Sequence, residues 1–113
     1  MQLDARKYLF DVVTACEAIL QFIHGKDFAA YEADLMFRSA VERQLMIVGE
    51  ALNKANRLDE SVMEHIPETR DIIQLRNIIA HGYAVVENAT IWGIVQADVP
   101  KLCEHVKTML TGR

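Results

Sequence analysis

The stretch of this chain that concentrates chemistry is an octapeptide at residues 76–83, Arg-Asn-Ile-Ile-Ala-His-Gly-Tyr. Arginine presents a planar fork of N–H donors that suits phosphate oxygens. Histidine exchanges protons near neutral pH, as general acid–base catalysis requires. Because no other segment gathers such side chains, residues 76–83 are the first candidate for a site that handles phosphate and protons.

The octapeptide lies at the end of a predicted helix, for which Gly82 is the expected stop. Its apolar positions recur at helical spacing and are Ile72, Leu75, Ile78 and Ile79. Asn77 and His81 are four residues apart and share one face, whereas Arg76 and His81 are separated by roughly 140° around the axis. One copy of the motif therefore does not direct both side chains toward one substrate. Two copies that face each other across a twofold axis bring an arginine and a histidine together.

Taken singly, each of these side chains also has a structural interpretation. Arg76 can pair with a carboxylate, and Glu50 in the preceding long helix is the candidate, as a buried or half-buried acid next to an arginine. A histidine before a glycine is usually a helix cap, and a lone tyrosine such as Tyr83 is usually packing. The combination of these side chains in one octapeptide favours a site that handles phosphate and protons.

The rest of the chain reads as helices that must position this stretch, with no convincing strand. The predicted helices are residues 3–24 ended by Gly25, a long helix capped by Asp27 or Asp34 and running to Asn56, a turn at 60–65, a helix with Pro67 in its first turn that reaches His81, and a last segment from Asn88 to Leu110. Pro100 makes that last segment one kinked helix, or two if Asp98 caps a fresh one.

The long second helix carries two unusual features. Gly49 in its interior costs about 1 kcal/mol relative to alanine, which is reasonable if another backbone approaches closely there. Met46 and Ile47 lie off its main apolar stripe, so the helix needs more than one packing partner. A tight bundle interior or an oligomer contact would supply the second partner. Trp92, in the last segment, is expected in the core rather than as a base-stacking platform.

Composition narrows the class of protein. A chain of 113 residues, half of them apolar, is expected to form one domain (1–113) with a real core. It contains no apolar run long enough to span a membrane and shows no signal-peptide pattern, and Cys16 and Cys103 are expected as buried free thiols in a reducing cytoplasm. A net charge of −4 argues mildly against nonspecific coating of nucleic acid.

No metal or cofactor is expected. The histidines outside the octapeptide, His24, His65 and His105, show no metal-ligand spacing with each other or with the cysteines. They are interpreted as surface or capping residues. The chain also has no glycine-rich phosphate loop.

The octapeptide resembles the R-x-x-x-x-H-x-Y motif of HepT-like toxins, in the HEPN superfamily of helical ribonucleases. The segment Glu42–Ala51, which reads E-R-Q-L-M-I-V-G-E-A, and the tail from Ile91 to Leu102 are also similar to that family. The resemblance covers nearly the whole chain. One departure is Thr69-Arg70, where the family often has tryptophan, and it affects local packing alone.

The resemblance implies an all-α, HEPN-type bundle of four long helices plus short ones, assembled as a homodimer. It implies a metal-independent endoribonuclease, the toxin of a type VII toxin–antitoxin pair, with a composite active site at the dimer interface. Arg76 and His81 would be the catalytic pair and Asn77 a polar helper, with RNA as substrate. The partner would be an MntA-like nucleotidyltransferase antitoxin that transfers AMP to Tyr83.

Two rival functions stay open on the sequence. The chain could be a non-catalytic subunit that binds a nucleotide or substrate for a nucleotidyltransferase, with Arg76 and His81 holding phosphate. It could also be a plain helical dimerisation protein in which the motif is a buried ion-pair cluster. The acidic run from Asp59 to Asp71 is a weak candidate for docking the nucleotidyltransferase.

Overall fold

The computed structural model describes residues 3–81 and 87–112 and confirms the all-α prediction, with helices and no strand in those ranges. The described residues form six helices: α1 (Leu3–Ile23), α2 (Phe28–Ala33), α3 (Leu35–Leu58), α4 (Ser61–His65), α5 (Thr69–His81) and α6 (Asn88–Leu110). Helix α3 is the centre of the bundle, since α1 and α5 both pack along it. Helix α6 packs against α1, and the short helices α2 and α4 close the ends.

Helix boundaries follow local chemistry. Gly25 ends α1 in the left-handed conformation, with φ of +71°, as predicted. Both candidate caps are used: Asp27 accepts a hydrogen bond from the amide of Ala30 at the start of α2, and Asp34 accepts from the amides of Met36 and Phe37 at the start of α3. The segment expected as a simple connection after Gly25 therefore contains a helix of its own.

One other boundary differs from the sequence prediction, and the choice between one and two helices at Pro100 is decided. Helix α5 begins at Thr69, so Pro67 lies in the preceding turn rather than in the first helical turn. Helix α6 is one continuous helix with Pro100 inside it, not two. Proline removes the hydrogen bond to the carbonyl of residue 96. Because Gln96 is exposed, water can satisfy that carbonyl, and the helix continues.

The core lies between α1, α3 and α6. Its largest fully buried side chains include Leu9, Ile19, Leu45, Leu52 and Leu102. The side chain of Arg6 on α1 donates to the carbonyl of Leu110 at 2.8 Å, which ties the first helix to the end of the last. Such a bond satisfies one of the carbonyls that every helix leaves open at its C-terminus.

An aromatic cluster holds α2 against the bundle. Tyr31 is fully buried, with its ring centroid 5.3 Å from that of Phe37 and 5.2 Å from that of Trp92. Trp92 is 6% exposed, which confirms its predicted place in the core. Aromatic pairs at these spacings stabilise the packing beyond the area they bury.

Tyr31→Phe is expected to leave the protein as stable as the parent or more stable. The Tyr31 hydroxyl is buried and has no hydrogen-bond partner among the described residues, and burial raises the pKa of Tyr31 to about 12, with Glu42 adding to the rise and Arg38 opposing it. Removing an unpaired buried hydroxyl recovers its desolvation cost, about 1–3 kcal/mol. Chemical denaturation measures the change, and a loss of more than about 1 kcal/mol would contradict this picture.

Candidate active site

Helix α5 carries the first six residues of the octapeptide, residues 76–81, and packs closely on α3. Ile72 and Leu75 are buried on the side of α5 that faces the bundle. Gly49 of α3 lies against the stem of Arg76: a Cβ atom built on Gly49 would be 2.3 Å from Cβ and 2.8 Å from Cγ of Arg76. The same atom would be 3.3 Å from the backbone oxygen of Ile72. The close backbone approach predicted at Gly49 is confirmed, since the Ile72 oxygen belongs to the α5 backbone, and the nearest atoms are those of the candidate catalytic arginine.

Arg76 is held in a half-desolvated state. Its stem lies on α3, and its Nε atom is buried with no hydrogen-bond partner among the described residues. At the other edge of the guanidinium, Nη1 donates to Oδ1 of the adjacent Asn77 at 3.0 Å. A cation that has lost water on one side and has no carboxylate in an ion pair within the described ranges attracts an anion more strongly than a fully hydrated one.

Asn77 and His81 occupy the exposed face of α5, one helical turn apart. His81 is the last residue of the helix. Arg76 instead faces α3, so the two members of the predicted pair lie on different sides of one helix. Asn77 lies between them in the chain and touches the guanidinium.

The prediction for Glu50 as a buried acid paired with an arginine is wrong. Its side chain is 52% exposed and pairs with Nζ of Lys54 at 3.3 Å, one turn along the same helix. The reason is geometric: Gly49 faces α5, and the next residue on a helix points about 100° away. Glu50 therefore lines a surface pocket of about 230 Å³ with Tyr8 and Arg43, on the side of α3 that faces α1.

The remaining motif residue, Tyr83, and the predicted helix stop, Gly82, lie outside the described residues. Their expected roles stay predictions. What the structure adds is the position of the helix end from which they follow, since α5 reaches His81 as expected.

Two acids of the run from Asp59 to Asp71 contact other residues of the same chain. Asp59 Oδ1 accepts from the amide of Ser61 at 3.0 Å and from its hydroxyl at 2.6 Å, which caps α4. Glu68 contacts Nδ1 of His105 on α6 at 2.9 Å. Those two carboxylates serve the fold, whereas Glu60, Glu64 and Asp71 are exposed and available to a partner.

Acidification is expected to remove the contribution of the Asp59 cap. The two hydrogen bonds from Ser61 lower the pKa of Asp59 below its ordinary value of 3.8. A carboxyl whose folded-state pKa is depressed stabilises the fold above its unfolded pKa and loses that effect as pH falls through the folded value. The stability difference between the parent and Asp59→Asn should be constant near neutral pH and shrink in thermal unfolding below about pH 4. A difference that stays constant down to about pH 2 would contradict the cap.

The other chemically capable residues have structural roles. His65 lies within 2.8 Å of the Ser61 carbonyl, and His105 contacts Glu68, as expected of capping and surface histidines. Cys16 and Cys103 are free and buried, and burial raises the pKa of both thiols, which makes them poor nucleophiles. Within residues 3–81 and 87–112, no cluster of histidine, cysteine or acidic side chains has the arrangement of a metal site.

The described part of the chain contains no helix with the length and apolarity needed to cross a membrane. Sequence reasoning did not assign the contact between the Arg76 stem and Gly49. The signal that pointed to it was a glycine in the interior of a long helix, which marks a close approach without naming the approaching residue.

Comparison with known proteins gives the family. Residues 12–109 match the model of the family described as ribonuclease HepT-like. A protein of Methanocaldococcus jannaschii named as a candidate RNase is 30% identical over 92% of this chain and 94% of its own length. A protein of Thermococcus cleftensis named as a candidate ribonuclease HepT is 29% identical over 90% of this chain and 92% of its own length.

A candidate RNase of Caldanaerobacter subterraneus is 27% identical over 93% of both chains. No solved structure gives a significant match. The helical fold, the octapeptide at the end of α5 and the match over residues 12–109 agree: the chain belongs to the ribonuclease HepT-like family, within the HEPN superfamily.

Proposed function

We propose that this protein is a metal-independent endoribonuclease, the toxin of a type VII toxin–antitoxin pair, with Arg76 and His81 as its catalytic residues. The observation that carries the proposal is the state of Arg76: its Nε is buried without a hydrogen-bond partner among the described residues, and Nη1 rests on Asn77. This arrangement orients a cation without neutralising it, as stabilisation of a phosphate transition state requires. Membership of the ribonuclease HepT-like family supports RNA as the substrate.

In the proposed reaction the 2′-hydroxyl of a ribose attacks the adjacent phosphate. A histidine takes the proton of that hydroxyl while the O2′–P bond forms. An acid gives a proton to the 5′-oxygen as the P–O5′ bond breaks, leaving a 2′,3′-cyclic phosphate and a free 5′-hydroxyl. Arg76 stabilises the charge that collects on the non-bridging oxygens. Because the attacking group is the 2′-hydroxyl, DNA is not a substrate.

The reaction needs a base and an acid, and each chain has one motif histidine. A homodimer with its twofold axis near α5 supplies both, and it brings the arginine side of one motif toward the histidine side of the other. The free surface of α5 is suited to such a contact, because Ile73, Ile78 and Ile79 remain partly exposed. A molecular mass in solution that stays monomeric at every concentration would exclude the composite site.

Regulation in this proposal acts on Tyr83, two residues after His81. An MntA-like nucleotidyltransferase antitoxin would transfer AMP to its hydroxyl. Each added phosphate brings negative charge and bulk beside the cleft and repels the RNA backbone. The exposed acids Glu60, Glu64 and Asp71 are the proposed docking residues for that partner, and unchanged complex affinity after reversal of their charges would remove that role.

The test of the proposed function is RNA cleavage by the purified protein in EDTA, with Tyr83 shown to be unmodified by mass spectrometry. Cleavage that leaves 2′,3′-cyclic phosphate ends, together with no cleavage of DNA of the same sequence, is the expected result. Binding of RNA or nucleotide without cleavage by the unmodified protein would favour a non-catalytic binding subunit instead. The proposal places the protein in the cytoplasm, where RNA is available and its free thiols stay reduced.

A further inference from the structure

The contact between Gly49 and Arg76 joins the central helix to the proposed active site. Gly49 is buried on α3, and the two atoms nearest to its missing Cβ, at 2.3 and 2.8 Å, both belong to the Arg76 side chain. Real Cβ atoms essentially never approach another heavy atom so closely, so any other residue at position 49 must displace the arginine stem together with the α5 backbone that carries it. The clash concerns Cβ and Cγ, which are fixed by the backbone and the first rotamer, and not the flexible end of the side chain.

We infer that Gly49 is a positioning residue for Arg76: by having no side chain, it lets the arginine stem lie flat on α3 and so sets the direction of the guanidinium. The buried Nε follows from this contact, because a stem pressed onto α3 takes Nε out of water and leaves Nη1 to reach Asn77. A side chain at residue 49 would lift the stem, rehydrate Nε and move the guanidinium. This inference rests on the proposed function in so far as Arg76 acts on RNA.

A glycine in a helix interior is unfavourable, and the fold keeps a second one that serves as a control. Gly93 lies in α6 and has no atom within 4 Å of the position where its Cβ would be. It is exposed, unlike Gly49. Gly93→Ala should therefore improve helix propensity without a clash, whereas Gly49→Ala introduces the same methyl group under Arg76.

Gly49→Ala and Gly93→Ala are compared with the parent in steady-state RNA cleavage. Gly49→Ala is expected to lower kcat on the order of 100-fold, as misplacement of a catalytic group by about 1 Å does, with KM near the parent value because the lost interaction belongs to the transition state. Gly93→Ala should cleave like the parent. A Gly49→Ala protein with parental kcat would overturn the inference and leave the ribonuclease proposal standing.

A second measurement follows solvent exchange of the Arg76 side chain and does not depend on RNA cleavage. In ¹⁵N-labelled protein, the Nε–H of Arg76, identified by its loss in Arg76→Lys, should exchange slowly with water because the atom is buried. This signal should broaden or exchange fast in Gly49→Ala and persist in Gly93→Ala. If the parent fails to cleave RNA, the ribonuclease proposal fails, and this signal still decides whether Gly49 holds Arg76. An unchanged signal in Gly49→Ala overturns the inference.

If Gly49→Ala does not fold, the double variant Gly49→Ala/Arg76→Gly tests whether the new methyl group acts through Arg76. Arg76→Gly removes both clashing atoms and leaves the Ile72 carbonyl, 3.3 Å from the new methyl group, as the nearest neighbour. A double variant that folds where Gly49→Ala alone does not shows that the methyl group acts through Arg76, as inferred. If the double variant also fails to fold, Gly49 is required by the helix packing itself, and the inference is overturned.

Discussion

His81→Ala is expected to lose RNA cleavage by a factor of about 10²–10⁴, the usual contribution of a general acid or base. His81 is exposed at the last residue of α5, so its imidazole is not part of the core. The His81→Ala protein should therefore remain folded. Cleavage of a short RNA and thermal unfolding of the same preparation measure both effects.

The chain offers a matched control for this variant. His24 is also exposed and precedes a glycine, as His81 does in sequence; it directly follows the last residue of α1, whereas His81 is itself the last residue of α5. His24→Ala should cleave RNA at the parental rate. If His81→Ala unfolds the protein, the motif is scaffolding, and if it is folded and fully active, His81 is not the catalytic histidine. Either result would remove the proposed mechanism.

Arg76→Lys is the second variant with a large expected effect, a fall in kcat of about 10²–10³, typical of a lost donor to a developing oxyanion. Lysine keeps the charge and most of the stem that lies on Gly49, so packing against α3 should survive. It loses the planar fork whose one edge is buried at Nε and whose other edge rests on Asn77. Single-turnover cleavage separates this loss in the chemical step from a change in RNA binding.

Arg70→Lys is the control for Arg76→Lys, since Arg70 lies on the same helix and is exposed. It should leave kcat and KM unchanged. A fully active Arg76→Lys protein would show that a point charge is sufficient at this position, and the argument from guanidinium orientation would fail. A fall in kcat for Gly49→Ala could then not be attributed to guanidinium orientation, whereas the Nε–H signal of Arg76 would still report the contact with Gly49.

Much of the fold could be predicted from the sequence, because the signals are local. A glycine after α1 marked its end, two aspartates were alternative caps for the next long helix, and the spacing of apolar residues marked the four long helices. The presence of α2 itself was missed, since six residues are too few to show a helical period. The course of α6 through Pro100 was left open, because local chemistry supports a kink as well as a break and the packing of neighbouring helices decides between them.

For the candidate site, too, one part could be predicted from the sequence and another part could not. The sequence by itself determined which residues carry the chemistry, since Arg76, Asn77 and His81 form a local motif whose spacing sets their faces on a helix. Only the tertiary structure decided their surroundings: Arg76 rests on Gly49 without a carboxylate in an ion pair within the described ranges, while Glu50 turns away to Lys54. Neighbouring positions on a helix point about 100° apart, so whether Gly49 or Glu50 meets α5 depends on how α3 is rotated in the bundle. That rotation is set by burial of the whole apolar stripe, which no single pair of residues reveals.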